Sequence, residues 1–362
     1  MPSKGKPKSK SAPAAEKPVV EVVPEPALVG HEDVRALFRQ VISRGRLGHA
    51  YLFVGPEGIG KKRVARYLAQ TLLCETVSPN LVAPCGQCAG CAQVMANSHP
   101  DLMQVRRPED RNELPISVIQ DLVAQLSLRP ARGKSKVGIV DDADDLNEES
   151  ANCFLKTLEE PPPGSVLILI ASSIDTQLPT IQSRCQLVRL RELNTGEVVH
   201  LLGELRVTSN GVEAEQLALR SEGSIGRAVE MAQPVWKEIE TQLIQSLSAR
   251  PIRTTTLSEK LLQFIEEAGK DSASKRTRAH KIIRLVSQNL RDALRESVGS
   301  ESGSALTALT QSLDADVIAD LIDRTLEADY HVARMASLPL LIETWIDDLG
   351  RIVNGKYLAP IR

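Results

Sequence analysis

From Leu28 to about Leu190 the chain alternates short apolar runs with amphipathic stretches. Ala50-Tyr-Leu-Phe-Val54 is a buried-strand pattern that runs straight into a glycine-rich loop, and the spacing that follows predicts a helix from about Lys62 to Leu73. Leu102 to Arg106 reads as a strand, and Ile116 to Leu128 as an amphipathic helix ending near Pro130. Lys136 to Val140 and Val166 to Ala171 are further core strands, and Gln186 to Leu190 is a last short one. Between them Asn147 to Glu160 sets Ala151, Leu155 and Leu158 on one helical face, with Asn147 as N-cap and Pro161 to Pro163 as the stop. Strands separated by helices imply an α/β domain built on a parallel sheet. Beyond residue 192 the strand signals fade and the rest reads as helix.

These signals divide the chain. Residues 1–26 are rich in Lys, Pro, Ser and Ala, cannot build a core, and are expected to be a disordered tail. The α/β domain is expected over 27–191, a small helical domain over 192–245 and a larger helical one over 246–362, with a Ser-, Arg- and Pro-rich stretch (Ser246 to Thr256) at the junction. No repeat of fixed period is visible.

Composition narrows the function. The chain has 362 residues, enough for two or three domains with their own cores. Net charge is −2 and aromatics are 3%, which disfavours a surface that grips nucleic acid throughout or stacks single-stranded bases. Val166 to Ala171, the longest strongly apolar run, is too short to span a bilayer. The N-terminus has lysines but no apolar segment of a secretory signal, so a cytoplasmic location is expected and the six cysteines are not expected to form disulfides.

The segment Gly55 to Lys62 (GPEGIGKK) follows a strand and opens a helix, the context in which backbone N–H groups hold phosphate oxygens. Gly55, Gly58, Gly60 and Lys61 fit a phosphate loop. Lys62 stands where a serine or threonine would ligate magnesium, and an ammonium cannot ligate a cation. Asp141 and Asp142 end the strand Lys136 to Val140, where an acidic pair organises magnesium and the attacking water. The second member of such a pair is usually glutamate; Asp142 is one methylene shorter. Both departures weaken hydrolysis, so ATP and magnesium are expected to bind this chain weakly or not at all.

Cys74, Cys85, Cys88 and Cys91 read C-x10-C-x2-C-x2-C, which suits a closed, structural zinc site with four thiolates and no open position for chemistry. Gly86 and Gly90 let that backbone turn. Cys153 and Cys185 lie elsewhere and read as core or near-core residues. Arg184, in Ser183-Arg184-Cys185, fits either a surface salt bridge or a guanidinium presented to a neighbour's triphosphate. Ser224 caps a helix whose Arg227 either faces solvent or reaches a nucleotide from a lid. The basic run Lys275, Arg276, Arg278, Lys281, Arg284, Arg291 and Arg295 lies on one predicted helix, as a solvated or subunit-facing side or as a DNA contact.

With these residues in view the chain resembles the delta-prime family of bacterial DNA polymerase III clamp-loader subunits, within the AAA+ proteins. The likeness is carried by LVGHE (Leu28 to Glu32), GHAYLFVGPEGIGK (Gly48 to Lys61), the cysteine knuckle, HPDL (His99 to Leu102), VDDADDLNEESANCFLKTLEEPP (Val140 to Pro162) and LPTIQSRC (Leu178 to Cys185). It implies an ATPase-like α/β domain, a helical lid and a C-terminal helical collar. The collar would join motor (gamma/tau) and delta subunits in a hetero-pentamer that places the beta sliding clamp on primer-template DNA as part of the DNA-directed DNA polymerase holoenzyme. It further implies that Arg184 is an arginine finger acting in trans, and that this chain is a stator with little or no ATPase activity of its own. The alternatives are the gamma/tau motor itself and a free-standing zinc-containing DNA-binding module.

Overall fold

The computed structural model describes residues 28–354 apart from 78–82, 109–110, 112, 133–134, 250, 300–305, 307–310 and 312. The expected tail lies outside the described residues.

Five parallel strands form one sheet: β1 (Ala50–Val54), β2 (Leu102–Val105), β3 (Lys136–Val140), β4 (Ser165–Ala171) and β5 (Gln186–Arg189), in the order β2-β3-β4-β1-β5. In register, Ala50 to Val54 of β1 face Leu167 to Ala171 of β4, and Lys136 to Val140 of β3 face Ser165 to Leu169. Alternate residues of each strand point to opposite faces, and both faces are covered by helices, which is why β1 and β4 are apolar at nearly every position. On one face Tyr51, Phe53, Val137, Ile139, Ile168 and Ile170 meet Val34, Phe38 and Ile42 of α1 (Glu32–Ser43) and Val64 and Leu68 of α2 (Lys61–Leu73). On the other, Leu52, Val54, Leu167 and Leu169 meet Ile119, Leu122 and Leu126 of α4 (Ile116–Leu126) and Phe154 and Leu158 of α5 (Glu148–Glu159). Asn147 caps α5 as expected, its side chain accepting from Ser150 N at 2.9 Å. Short helix α3 (Ala89–Met95) adds Val94 to the first face and α6 (Pro179–Gln182) adds Ile181 to the second. The expected α/β class with a parallel sheet is borne out, and strand ends fall within one residue of the sequence reading.

Three helices follow, α7 (Thr195–Glu204), α8 (Gly211–Arg220) and α9 (Ile225–Met231), around Val198, Leu202, Leu217 and Ala228. The remaining core is shared by α10 (Pro234–Ser248), α11 (Thr254–Glu266), α12 (Ser272–Ser297), α13 (Ala315–Ala333) and α14 (Leu338–Val353). Helix α10 straddles the expected boundary at 245/246 and buries Ile239, Leu243 and Leu247 in this last core. Trp345 is fully buried there, its indole N–H directed at Thr325 Oγ1 at 3.4 Å. Among the described residues no helix is long and apolar enough to cross a membrane.

Candidate functional site

The carboxyl ends of β1, β3 and β4 converge on one cleft of about 570 Å³, the position at which open parallel sheets bind ligands. Gly58, Gly60, Lys61 and Lys62 come from the loop after β1, Asp141 and Asp142 from the end of β3, Ser172 from the end of β4, and Ile225 and Gly226 from α9. Gly60 precedes α2 with φ 101°, a left-handed conformation that glycine adopts freely. Lys61 Nζ turns back onto its own loop, donating to Gly55 O at 2.5 Å and Pro56 O at 2.7 Å. Burial pushes its pKa down, opposed by the carboxylates of Asp144, Glu57, Asp141 and Asp142.

Lys62 Nζ lies 2.8 Å from Asp141 Oδ2, tying the first turn of α2 to β3. An ammonium has no lone pair to offer a metal, and here it already holds the carboxylate that a magnesium ion would need. The residues present do not fit magnesium. Asp142 takes a left-handed backbone (φ 56°), and burial, with the Asp141 charge beside it, raises its carboxyl pKa above the usual range.

Two neighbours, Asp144 and His31, were not singled out from the sequence, and the small helical domain adds further contacts. Asp144 accepts hydrogen bonds from Ser172 N at 2.6 Å, Gln177 Nε2 at 3.2 Å and the Thr176 hydroxyl, so it ties β3 to the loop after β4. His31, inside the LVGHE segment, is buried with a left-handed backbone and places Nε2 2.9 Å from Ile59 O, beneath the loop. From the small helical domain, Ser224 Oγ donates to Glu57 O at 2.9 Å and Gly226 N donates to Gly58 O at 3.0 Å. Gly58 has φ 76°, and a Cβ there would collide with Ser224 Oγ.

Two sequence-selected residues sit apart from the cleft wall. Gly55 lies at its root, under Leu190 O. Arg227 follows Gly226, which docks on the loop; Arg227 Nη1 pairs with Glu222 Oε2 at 2.7 Å, and the residue lines an adjoining cleft that shares Glu57, Gly58 and Gly226 with the first. Ser224 does cap α9, accepting from Arg227 N at 3.2 Å.

Arg184 lies just beyond α6, outside the cleft. Its Nε and Nη2 donate to Glu159 Oε1, the former at 2.8 Å, and Nη1 donates to Thr180 O at 3.0 Å and Ser183 Oγ at 3.2 Å. The basic run on α12 is largely engaged within the chain. Lys275 pairs with Glu266, Lys281 with Glu230 and Arg295 with Asp292, while Arg276 and Arg278 donate to the carbonyls of Val332 and Phe264.

The four knuckle cysteines converge, with all Sγ atoms within 4.8 Å of one another. Cys74 and Cys88 are 3.9 Å apart and Cys85 and Cys91 3.8 Å. Four zinc–sulfur bonds of about 2.3 Å in a tetrahedron give S–S edges of about 3.8 Å, so the donor set fits such an ion and can hold a metal. A hydrogen bond from the Thr76 hydroxyl, joined by the N–H groups of Gln87 and Cys88, lowers the Cys85 thiol to about 6. Cys153 and Cys185 pack against the core, and burial pushes the Cys185 thiol up to about 12.

Residues 30–194 match the family model described as "DNA polymerase III, delta subunit". A DNA polymerase III subunit delta' of Pseudomonas aeruginosa is 31% identical over 224 residues, covering 59% of this chain and 68% of that protein. The subunit tau of Escherichia coli is 34% identical over 209 residues, covering 56% of this chain and 32% of the relative, so the match spans about a third of the tau chain. Among solved structures, a gamma subunit-related protein of Thermotoga maritima aligns at TM-score 0.39 and 17% identity, over 88% of this chain and 99% of that one. The chain belongs to the family of DNA polymerase III clamp-loader subunits whose members carry the names delta', gamma and tau.

Proposed function

We propose that this chain is a cytoplasmic, non-motor subunit of the DNA polymerase III clamp loader, assembling with motor and delta subunits to place the sliding clamp on primed DNA. Its chemical contribution is Arg184, lent in trans to ATP held by a neighbour. Its remaining role is that of a stiff wall against which the motors close, with a structural zinc ion in the cysteine knuckle.

The observation that carries this reading is the Lys62–Asp141 ion pair. A motor subunit needs a hydroxyl at the start of α2 and a free acidic pair around magnesium; here position 62 is a lysine and it holds Asp141. Arg184 supports the same division of labour, because it stands outside its own chain's cleft and so serves no site there. The gamma/tau motor reading draws on the tau similarity, and it predicts vigorous ATP turnover by the purified chain alone. Purified protein that turns over no ATP alone, yet restores clamp loading when added to motor and delta subunits, is the expected result. Vigorous turnover alone, or failure to join the other subunits, refutes the proposal.

A further inference from the structure

Two lysines open α2, and its first turn holds no acidic residue. A helix N-terminus already presents about half a positive charge, so Lys61 and Lys62 concentrate cationic character at one point. Lys61 is satisfied by two neutral carbonyls, which it can exchange for charged oxygens without leaving a carboxylate unpaired. Lys62 is seated on Asp141 with 44% of its side chain exposed, so its remaining N–H donors are open to the cleft. The carbonyls of Glu57 and Gly58, which would repel an anion, are already occupied by Ser224 and Gly226.

We propose that the Lys62 ammonium, held on Asp141, takes the divalent cation's place in this phosphate loop, so that the cleft binds the polyphosphate of a nucleoside di- or triphosphate without a metal. In a full loop the cation links phosphate oxygens to the acidic strand end. Here a tethered ammonium makes the same link, with one donor on Asp141 and the others on phosphate. Four basic residues (Lys61, Lys62, Arg63, Arg66) face four acidic ones (Glu57, Asp141, Asp142, Asp144) around the cleft. A dication at Asp141 would meet Lys62 at contact distance, whereas an anion is met by two lysines and a helix end. Such a site holds a nucleotide without polarising it for hydrolysis. The inference rests on the loop as a phosphate site and is independent of the role given to Arg184.

The test measures binding of a fluorescent ATP analogue and of ADP to the full-length chain, by anisotropy and calorimetry, first in EDTA and then in excess magnesium. Wild-type affinities in the two buffers should agree within about threefold, or about 0.7 kcal/mol. Lys62→Ser should lose at least about tenfold in EDTA, or about 1.4 kcal/mol, and recover in magnesium, because a hydroxyl can ligate the ion. Asp141→Asn should tighten metal-free binding, a gain that misfolding cannot mimic. Wild-type binding that appears only with magnesium, or in neither buffer, overturns the proposal, as does Asp141→Asn binding that is unchanged or weaker in EDTA. Either failure leaves the trans role of Arg184 standing, since the ATP in that role belongs to another subunit.

Discussion

Arg184→Ala removes the one charge this chain is proposed to lend. In the isolated chain its guanidinium rests on Glu159, with side chains 30% and 52% exposed respectively, and must leave that partner to reach a neighbour's γ-phosphate. A solvent-exposed pair is worth about 0.2–1 kcal/mol, which corresponds to roughly 1.4- to fivefold in an equilibrium. A guanidinium opposite a transferring phosphoryl group is worth about 10³–10⁵ in turnover. The two effects therefore differ by more than a hundredfold, and the finger dominates. In a reconstituted complex whose other motor sites are disabled in their own phosphate loops, Arg184→Ala should lower turnover at the adjoining site by about a thousandfold or more. Arg184→Lys should recover only a small part, because a point charge replaces the planar fork. Glu159→Gln should raise turnover by no more than about fivefold. Size-exclusion chromatography checks that each variant still assembles. A loss below about tenfold in Arg184→Ala, set against the expected range for a finger, refutes the reasoning, as does an equal loss in Glu159→Gln.

Metal analysis of protein purified without chelator should find about one zinc per chain, and Cys88→Ser should abolish it. Chelation should loosen α3 and the end of α2 while both sheet cores stay folded, as read by hydrogen exchange; protein with no bound metal refutes the knuckle assignment. Asp101 is fully buried, lies 3.7 Å from the equally sequestered Lys136, and accepts from Ala131 N at 2.6 Å and Arg132 N at 2.9 Å. Asp101→Ala should cost about 3–5 kcal/mol by stranding a buried charge, and Asp101→Asn less, because its amide oxygen still accepts a backbone bond. Urea denaturation that gives the two variants equal cost counts against this account.

The strands were legible because β1, β3 and β4 are buried on both faces and leave uninterrupted apolar runs, which periodicity finds easily. The phosphate loop, the acidic strand end and the cysteine spacing were legible for a related reason: each is set by residues close in sequence. The docking of the small helical domain on the phosphate loop was not legible. It depends on Gly226 N reaching Gly58 O, a contact across more than 160 residues that no local pattern encodes. Asp144 escaped notice for the same cause, since its partners Ser172, Thr176 and Gln177 lie beyond a helix and a strand. The boundary between residues 245 and 246 rests on a composition change, whereas the packing of α10 is decided by the core that receives Ile239, Leu243 and Leu247.

The same contacts explain how a loop can lose its metal ligand and keep its shape. From Gly55 to Ile59 each residue of the loop is held by something other than a nucleotide: Ile59 by His31, Gly58 by Gly226, Glu57 by Ser224, Gly55 and Pro56 by Lys61; the start of α2 is held by the Lys62–Asp141 pair. Two of these ties, Ser224 to Glu57 and Gly226 to Gly58, cross from the small helical domain to the sheet domain and fasten it through backbone carbonyls. A hydroxyl at position 62 would have left Asp141 free for a metal and the first turn of α2 without its link to β3. Lysine instead pairs with Asp141 at 2.8 Å and links the first turn of α2 to the end of β3. For a subunit whose proposed work is to stand still while its neighbours move, such a link suits the proposed role.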